Sequence, residues 1–331
     1  MIQNNKEFLS ILYIGHISID TIIKNGKTHS PTLGGSVSFG SIGLKSYSKK
    51  VKIRIISNCG RKNLRPSLLK RIRKKNIDLN GLKWADSDNT HFILEYFDHS
   101  RSLSLETRSK NMEMSDIPEN FFLDPPNIVI LAPLCNEISR QYILSILEKF
   151  PNALIGMDLQ GFVRKTASNG KVSYIKNSIK LDKVKDIILK CGNRLILKGS
   201  EEEMKLLAGG GEDLVKIMTK FNNLDLKGLY IMTRGEEGSM LIKYGCNLLN
   251  IPAFKPKQVK DETGAGDIYL SIFLYEYFFS DRSWSSVRKA AFLASASASF
   301  LVEKVGPQGF KPKKKVEKRV KDRNYIIYKG D

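Results

Sequence analysis

The stretch Asp261-Glu262-Thr263-Gly264-Ala265-Gly266-Asp267 decides how the rest of the chain is read. It follows a loop, 254–260, and opens an apolar run of helical period, 268–279. Gly264, Ala265 and Gly266 carry little or no side chain, so their backbone N–H groups can approach a ligand closely. At a helix start these groups lack intrahelical partners, and the helix dipole there favours negative charge. The pattern is an anion site. Asp267 follows in the first turn. A carboxylate beside an anion hole is electrostatically unfavourable unless it takes part in chemistry. Removing a proton from an attacking hydroxyl is such a part. Gly-Ala-Gly alone is also compatible with an N-capped helix after a tight turn; the whole heptad is more specific.

Outward from this point, short apolar, β-branched runs recur at 8–14, 51–57, 127–131, 153–157, 194–197 and 229–232. Segments of helical period lie among them at 138–150, 201–207, 214–221 and 265–279. Buried strands alternating with helices predict an α/β fold with a mostly parallel sheet covered on both faces. Two stretches, 21–32 and 90–107, break the rhythm with antiparallel, partly alternating character, and Asp98-His99-Ser100 carries turn chemistry. A small β-sheet inserted there reads as a lid over a ligand crevice. The segment 311–331 holds nine basic residues against three acidic ones. It is expected to be a basic helical tail after one domain spanning 1–310.

Composition narrows the class. The chain has 331 residues, of which 41% are hydrophobic, enough for a sizeable core and too many for a disordered chain. The formal charge of +20 invites a nucleic-acid or anion partner, or lysines that are simply solvated. Thirteen basic residues and no acid lie between 45 and 75, but no aromatic stacking platform is interleaved with them. The longest mostly apolar run, 290–302, falls short of the roughly 20 residues of a spanning helix. The start, MIQNNKEF, has no signal-peptide character, so a cytoplasmic location and no membrane partner are expected. Cys59, Cys135, Cys191 and Cys246 form no CxxC pair, which argues for reduced thiols over a zinc site or disulfide framework. His16, His29, His91 and His99 form no ligand spacing.

The heptad resembles the DTGAGD signature of the ribokinase family, the phosphofructokinase-B-type carbohydrate kinases, and departs from it at Glu262. Other matches follow in family order over about residues 9–310. Tyr13-Ile14-Gly15-His16-Ile17-Ser18-Ile19-Asp20 is similar to the first strand with its substrate-binding Asp. Leu33-Gly34-Gly35-Ser36-Val37-Ser38-Phe39-Gly40 resembles the di-glycine motif. Lys198-Gly199-Ser200-Glu201-Glu202-Glu203 resembles K-x-N-x-x-E, with Ser200 in place of Asn. Thr233-Arg234-Gly235-Glu236-Glu237-Gly238 is similar to the T-x-G-x-x-G nucleotide loop. The resemblance implies a three-layer α/β/α ribokinase-like fold with a small β-sheet lid that often mediates dimerisation. It implies ATP as phosphoryl donor, Asp267 as base, and Gly264, Ala265 and Gly266 as anion hole. Asp20, Gly34 and Gly35 would bind substrate; Lys198, Ser200, Glu203, Thr233, Gly235 and Gly238 would bind nucleotide. Glu203 would organise Mg²⁺ through water, and Asp261 and Thr263, near the segment at Gly306, would hold a monovalent cation such as K⁺.

These residues also have readings of their own. Asp20 sits at a strand end, where open α/β sheets bind ligands, and a carboxylate can accept two hydrogen bonds from vicinal hydroxyls. Ser200 and Glu203 have capping-box spacing. Thr233, Gly235 and Gly238 join two strand-like runs and also suit a hairpin. Asp158-Leu159-Gln160-Gly161-Phe162-Val163-Arg164 follows the strand 153–157, so its polar residues face the crevice, and Arg164 suits a phosphate or a substrate hydroxyl. This D-x-Q-x-x-x-R form is similar to plant inositol kinases and archaeal relatives, and Phe39 points the same way. Arg101 in the lid reads either as a substrate contact or as a solvated residue. The expected function is ATP-dependent phosphoryl transfer to a hydroxyl of a sugar or cyclitol, myo-inositol included. A nucleoside kinase of the same family and a nucleic-acid-binding protein on a kinase-like scaffold are the competing readings.

Overall fold

The computed structural model describes residues 8–97, 100–223 and 226–326; the side chains of residues 97, 100 and 101 fall outside that set. The turn at Asp98 and His99 and the reading of Arg101 therefore lie outside the described residues.

A nine-stranded sheet forms the body. Its order from one edge is Leu249–Ile251, Ser239–Lys243, Leu229–Thr233, Leu195–Ser200, Leu154–Asp158, Ile128–Leu131, Leu9–Ile14, Val51–Gly60 and Asp78–Ala85. From Leu229–Thr233 onward neighbours pair in parallel, and the two strands before it pair antiparallel. The central strands are buried along their whole length, which is why they read as unbroken apolar runs. Alternate residues of Leu9–Ile14 divide between two cores. Ile11 and Tyr13 join the one under helices Ser36–Tyr47, Ala265–Phe278 and Trp284–Leu301; Leu12 and Ile14 join the one under Arg140–Lys149, Ser178–Cys191 and Leu214–Asn223. The fold is three-layer α/β/α, as the alternation of strands and helices predicts. Ala265–Phe278 is apolar nearly all round because it is buried nearly all round.

A separate five-stranded sheet forms the lid: Ser18–Lys24, Lys27–Thr28, Thr32–Gly34, His91–Phe97 and Ser100–Thr107. Its hairpin partners are antiparallel, but Ser18–Lys24 and His91–Phe97 run parallel. The chain enters the lid at Gly15, whose φ is +154° and whose added Cβ would lie 2.3 Å from the Ala132 carbonyl oxygen. This turn corrects one expectation. The first strand ends at Ile14, and Asp20 lies inside the lid strand, not at the end of a body strand.

The lid root is pinned by buried polar groups. His16 is fully buried; its Nε2 bonds the Lys110 carbonyl at 2.8 Å and its Nδ1 pairs with Thr90 Oγ1 at 2.8 Å. His16 N–H, Leu134 N–H and Cys135 N–H all donate to the Glu137 carboxylate. His16, Cys135 and Glu137 lie within metal-ligand reach of one another, but both imidazole nitrogens are already spent on the root. Burial pushes the Cys59, Cys135 and Cys191 thiols up to about 12, so they remain protonated.

The basic stretch is partly structural. Arg54 is 1% exposed; it donates to Ser10 Oγ and the Asp124 carbonyl and lies over the Phe121 ring. In the tail, Lys313–Lys321 is helical and buries Val316 completely. Among the described residues no helix is long and apolar enough to cross a membrane.

Candidate active site

A cleft of about 1310 Å³ opens between the lid and the carboxyl ends of the parallel strands. Two helices begin there, Ser36–Tyr47 and Ala265–Phe278, each preceded by a positive-φ glycine: Gly35 at +90° and Gly264 at +84°. Neither helix has a side-chain cap, so backbone amides at both N-termini are left for a ligand. Close packing explains the glycines. A Cβ on Gly264 would sit 2.0 Å from the Phe39 ring, one on Gly34 2.1 Å from the Asp20 carboxylate, and one on Gly266 2.8 Å from Lys198 Nζ. The Ala265 N–H closes the turn onto Glu262 O at 3.2 Å. The Gly264 and Gly266 amides, with no backbone partner among the described residues, are the ones presented to a ligand.

Asp267 lies in the first turn of its helix, against Lys198, Asp158 and Ser36. Asp158 and Lys198 are register partners on neighbouring strands, which brings their side chains to 2.8 Å in a pair 1% and 7% exposed. Burial alone would lower Lys198, but Asp158, Glu203 and Asp267 outweigh it and hold the ammonium charged. Burial, with the Asp158 charge added, pushes Asp267 up to about 7 against the pull of Lys198 and Ser36. A carboxylate so tuned changes protonation near neutral pH, as a general base requires.

The walls are built from the strand ends. Ser200 caps Glu201–Leu207 and forms a reciprocal capping box with Glu203, whose Oε2 accepts from Ser200 N at 2.8 Å. Burial raises Glu203, and its side chain also lines the cleft, so the structural and cleft roles coexist. Gln160 donates to Ser36 Oγ at 3.2 Å and accepts from Arg164 at 2.9 Å; Arg164 also reaches the Leu134 carbonyl. Asp261 accepts from Thr263 N and Gly306 N, while Thr263 Oγ1 is buried with no partner. Under the lid, alternate residues of two strands face the cleft: Ser18, Asp20, Ile22 and Lys24 on one, Phe92, Leu94 and Tyr96 on the other. Leu103 and Thr32 complete that face.

Of the residues singled out from sequence, Asp20, Gly35, Gln160, Arg164, Lys198, Ser200, Glu203, Thr233, Asp261, Thr263, Gly264, Gly266 and Asp267 line this one cleft. Gly34 and Ala265 support it through backbone placement. Gly235 and Gly238 do not line it; they shape the turn between Leu229–Thr233 and Ser239–Lys243, where the Arg234 N–H donates to the Gly238 carbonyl. The sequence placed Asp158 facing the crevice and Ser36 within the di-glycine motif but assigned neither a role, and it did not disclose the lid's apolar face. Asp158 was signalled by its place at a strand end; the lid face needed the strand register.

A family model described as pfkB family carbohydrate kinase matches residues 49–314. The chain belongs to that family. It is a carbohydrate or nucleoside kinase, a phosphotransferase acting on hydroxyl groups. Among curated proteins it is similar to a cytidine kinase of Thermococcus kodakarensis, 22% identical over 272 residues that cover 81% of this chain and 88% of the relative. Among solved structures it resembles a pyrophosphate-dependent kinase in the ribokinase family complexed with a pyrophosphate analog and myo-inositol. That match has a TM-score of 0.72 at 23% identity and covers 90% of this chain and 96% of the other. It also resembles a Vibrio cholerae fructokinase solved with fructose, ADP and potassium ion, with a TM-score of 0.74 at 13% identity over 96% and 100% of the chains. At these identities the two structures speak to the fold alone.

Proposed function

We propose that this pfkB-family protein transfers the γ-phosphoryl group of ATP to a hydroxyl of a small polyol, a sugar or cyclitol. The observation that carries the reading is Asp267, a half-buried carboxyl raised to about 7, set beside the uncapped amides of Gly264 and Gly266. The acceptor hydroxyl lies between Asp20 and Asp267. Asp267 takes its proton as the oxygen attacks the γ-phosphorus in line. The Gly264 and Gly266 N–H groups and the Lys198 ammonium meet the negative charge that spreads over the transferring group. The lid keeps water from competing as acceptor.

The donor side supports a nucleotide. Beyond the glycine turn the cleft continues past Thr233, Val259 and Val305; the two valines are 60% and 48% exposed and offer apolar contact to a base. Magnesium bound with the triphosphate would neutralise its charge, and Glu203, lining the cleft, is placed to hold the ion's waters. The buried, unpartnered Thr263 Oγ1 beside Asp261 fits a monovalent cation such as K⁺. The kinase body spans about 1–310 in this reading, with lid segments at 21–32 and 90–107 and a basic tail at 311–331; dimerisation through the lid and a cytoplasmic location accompany it.

A second acceptor class, the nucleosides, is favoured by one observation. The lid face presents Ile22, Leu94, Tyr96 and Leu103 outward of Asp20, an apolar surface that suits a base better than a ring hydroxylated on every carbon. A product-release screen tests both readings: ATP or pyrophosphate as donor against myo-inositol, ribose, fructose 6-phosphate, cytidine and adenosine, with Asp267→Asn as control. Near-wild-type turnover by the variant would overturn the mechanism. Turnover with pyrophosphate and none with ATP would overturn the donor.

A further inference from the structure

We propose that the C-terminal segment 311–326 is a strap that sets the donor loop 253–264, with Arg319 and Glu303 as its positioning residues. This rests on reading the glycine turn as the donor site. The donor loop runs from the edge strand Leu249–Ile251 to the helix Ala265–Phe278. Its backbone is held largely from outside. At its far end Lys260 N and Asp261 N donate to the Val302 carbonyl, and Gly306 N donates to Asp261 Oδ2. At its near end the partners come from the tail. Tyr325 forms an antiparallel bridge with Phe254, Lys255 N donates to the Asn324 carbonyl at 2.9 Å, and Ile326 N donates to the Ala253 carbonyl at 2.9 Å. The Tyr325 ring packs edge-on against Phe254 and Phe292, with centroids 4.9 and 5.8 Å apart.

Between these two anchorages lies one shared carboxylate. Glu303 Oε1 accepts from Lys257 N in the donor loop at 3.0 Å and from Arg319 of the tail helix at 2.7 Å. Arg319 is itself fixed. Its other nitrogen donates to Ser299 Oγ at 2.8 Å, its guanidinium stacks on the Phe300 ring, and the ion pair is only 11% and 12% exposed. Turning a guanidinium fork into place this way uses geometry that an ammonium lacks. So the tail, for all its excess of basic residues, spends its central arginine on an internal ion pair. Without Arg319 the Glu303 carboxylate is left half-desolvated, and it turns toward water and away from Lys257 N. The middle of the donor loop then loses its register with the glycine turn, and small displacements there are costly to phosphoryl transfer.

The test compares Arg319→Ala, Arg319→Lys and Glu303→Gln with the wild-type chain. Amide hydrogen exchange without ligand is measured first. Exchange at Lys255, Lys257 and Lys260 is expected to speed at least tenfold in Arg319→Ala while the lid root at residues 16–17 and 89–90 keeps its protection. Unchanged exchange in the loop overturns the strap, and so does loss of protection throughout the molecule. Binding of a non-hydrolysable ATP analogue by calorimetry follows. The donor Kd is expected to rise about five- to tenfold in Arg319→Ala, less in Arg319→Lys, with the acceptor KM unchanged. Equal donor Kd in the variants, with the wild type binding, overturns the link to the donor site. No binding to the wild type overturns the donor reading instead and leaves the exchange result to judge the strap.

Discussion

The two ends of the cleft are built differently. At the phosphoryl end the working groups are backbone amides and buried charges. Gly264 and Gly266 exist because Phe39 and Lys198 leave no room for a Cβ, and Asp267 is tuned by burial and by Asp158. At the lid end the cleft is lined by side chains on a strand face, Ile22, Leu94, Tyr96 and Leu103, whose neighbours point away. Backbone-built chemistry constrains nearly every atom of its motif. A side-chain wall constrains only its size and polarity, so the identity of the acceptor can be retuned without moving the reacting atoms.

That contrast can be broken by substitution. Asp267→Asn should lower kcat by about a thousandfold, the range expected of a lost general base, while leaving nucleotide binding measurable by calorimetry. Gly264→Ala should follow, with kcat/KM down about a hundredfold, because the new methyl meets the Phe39 ring at a left-handed backbone position. If Gly264→Ala instead changes only acceptor KM, the division between the two ends is wrong. Tyr96→Ala and Leu103→Ala should raise acceptor KM about tenfold with kcat within about threefold, as expected for lost uniform binding.

The smallest effect is on stability. The folded chain holds the Asp267 proton up to about 7, whereas an unfolded carboxyl releases it near 4. Between those values the folded state binds more protons, so this residue's contribution to stability falls as pH rises through the window and levels off above it. Asp267→Asn should therefore gain in Tm relative to wild type at pH 8 and lose that advantage at pH 4; scanning calorimetry at both values checks the sign. In the same range wild-type kcat should climb as pH rises toward about 7 and Asp267 becomes free to accept a proton.

What the sequence discloses follows the same division. The glycine-rich heptad, the capping box at Ser200 and Glu203 and the buried parallel strands are each local patterns, readable from residue types a few positions apart. Gln160 and Arg164 were legible as crevice residues, but their joint hold on Ser36 and Leu134 was not. The lid face depends on which residues of 18–24 stand beside which of 91–97, and the pairing of Ile19 with His91 is not written in either segment. Gly15 hides a corner of another kind: its close approach to Ala132 carries Asp20 into the lid, which strand-like hydropathy alone does not disclose.

The parallel pairing of Ser18–Lys24 with His91–Phe97 has a consequence for how the molecule is made. The first of these strands follows directly on the first body strand, Leu9–Ile14, yet its partner emerges only after the helix Ser36–Tyr47 and the strands Val51–Gly60 and Asp78–Ala85. Loop-closure entropy opposes such a long-range parallel contact until the intervening units have condensed. On a nascent chain the early lid strand must therefore wait with the edge that meets His91–Phe97 unpaired, and the acceptor pocket is among the last parts of the molecule to come into being.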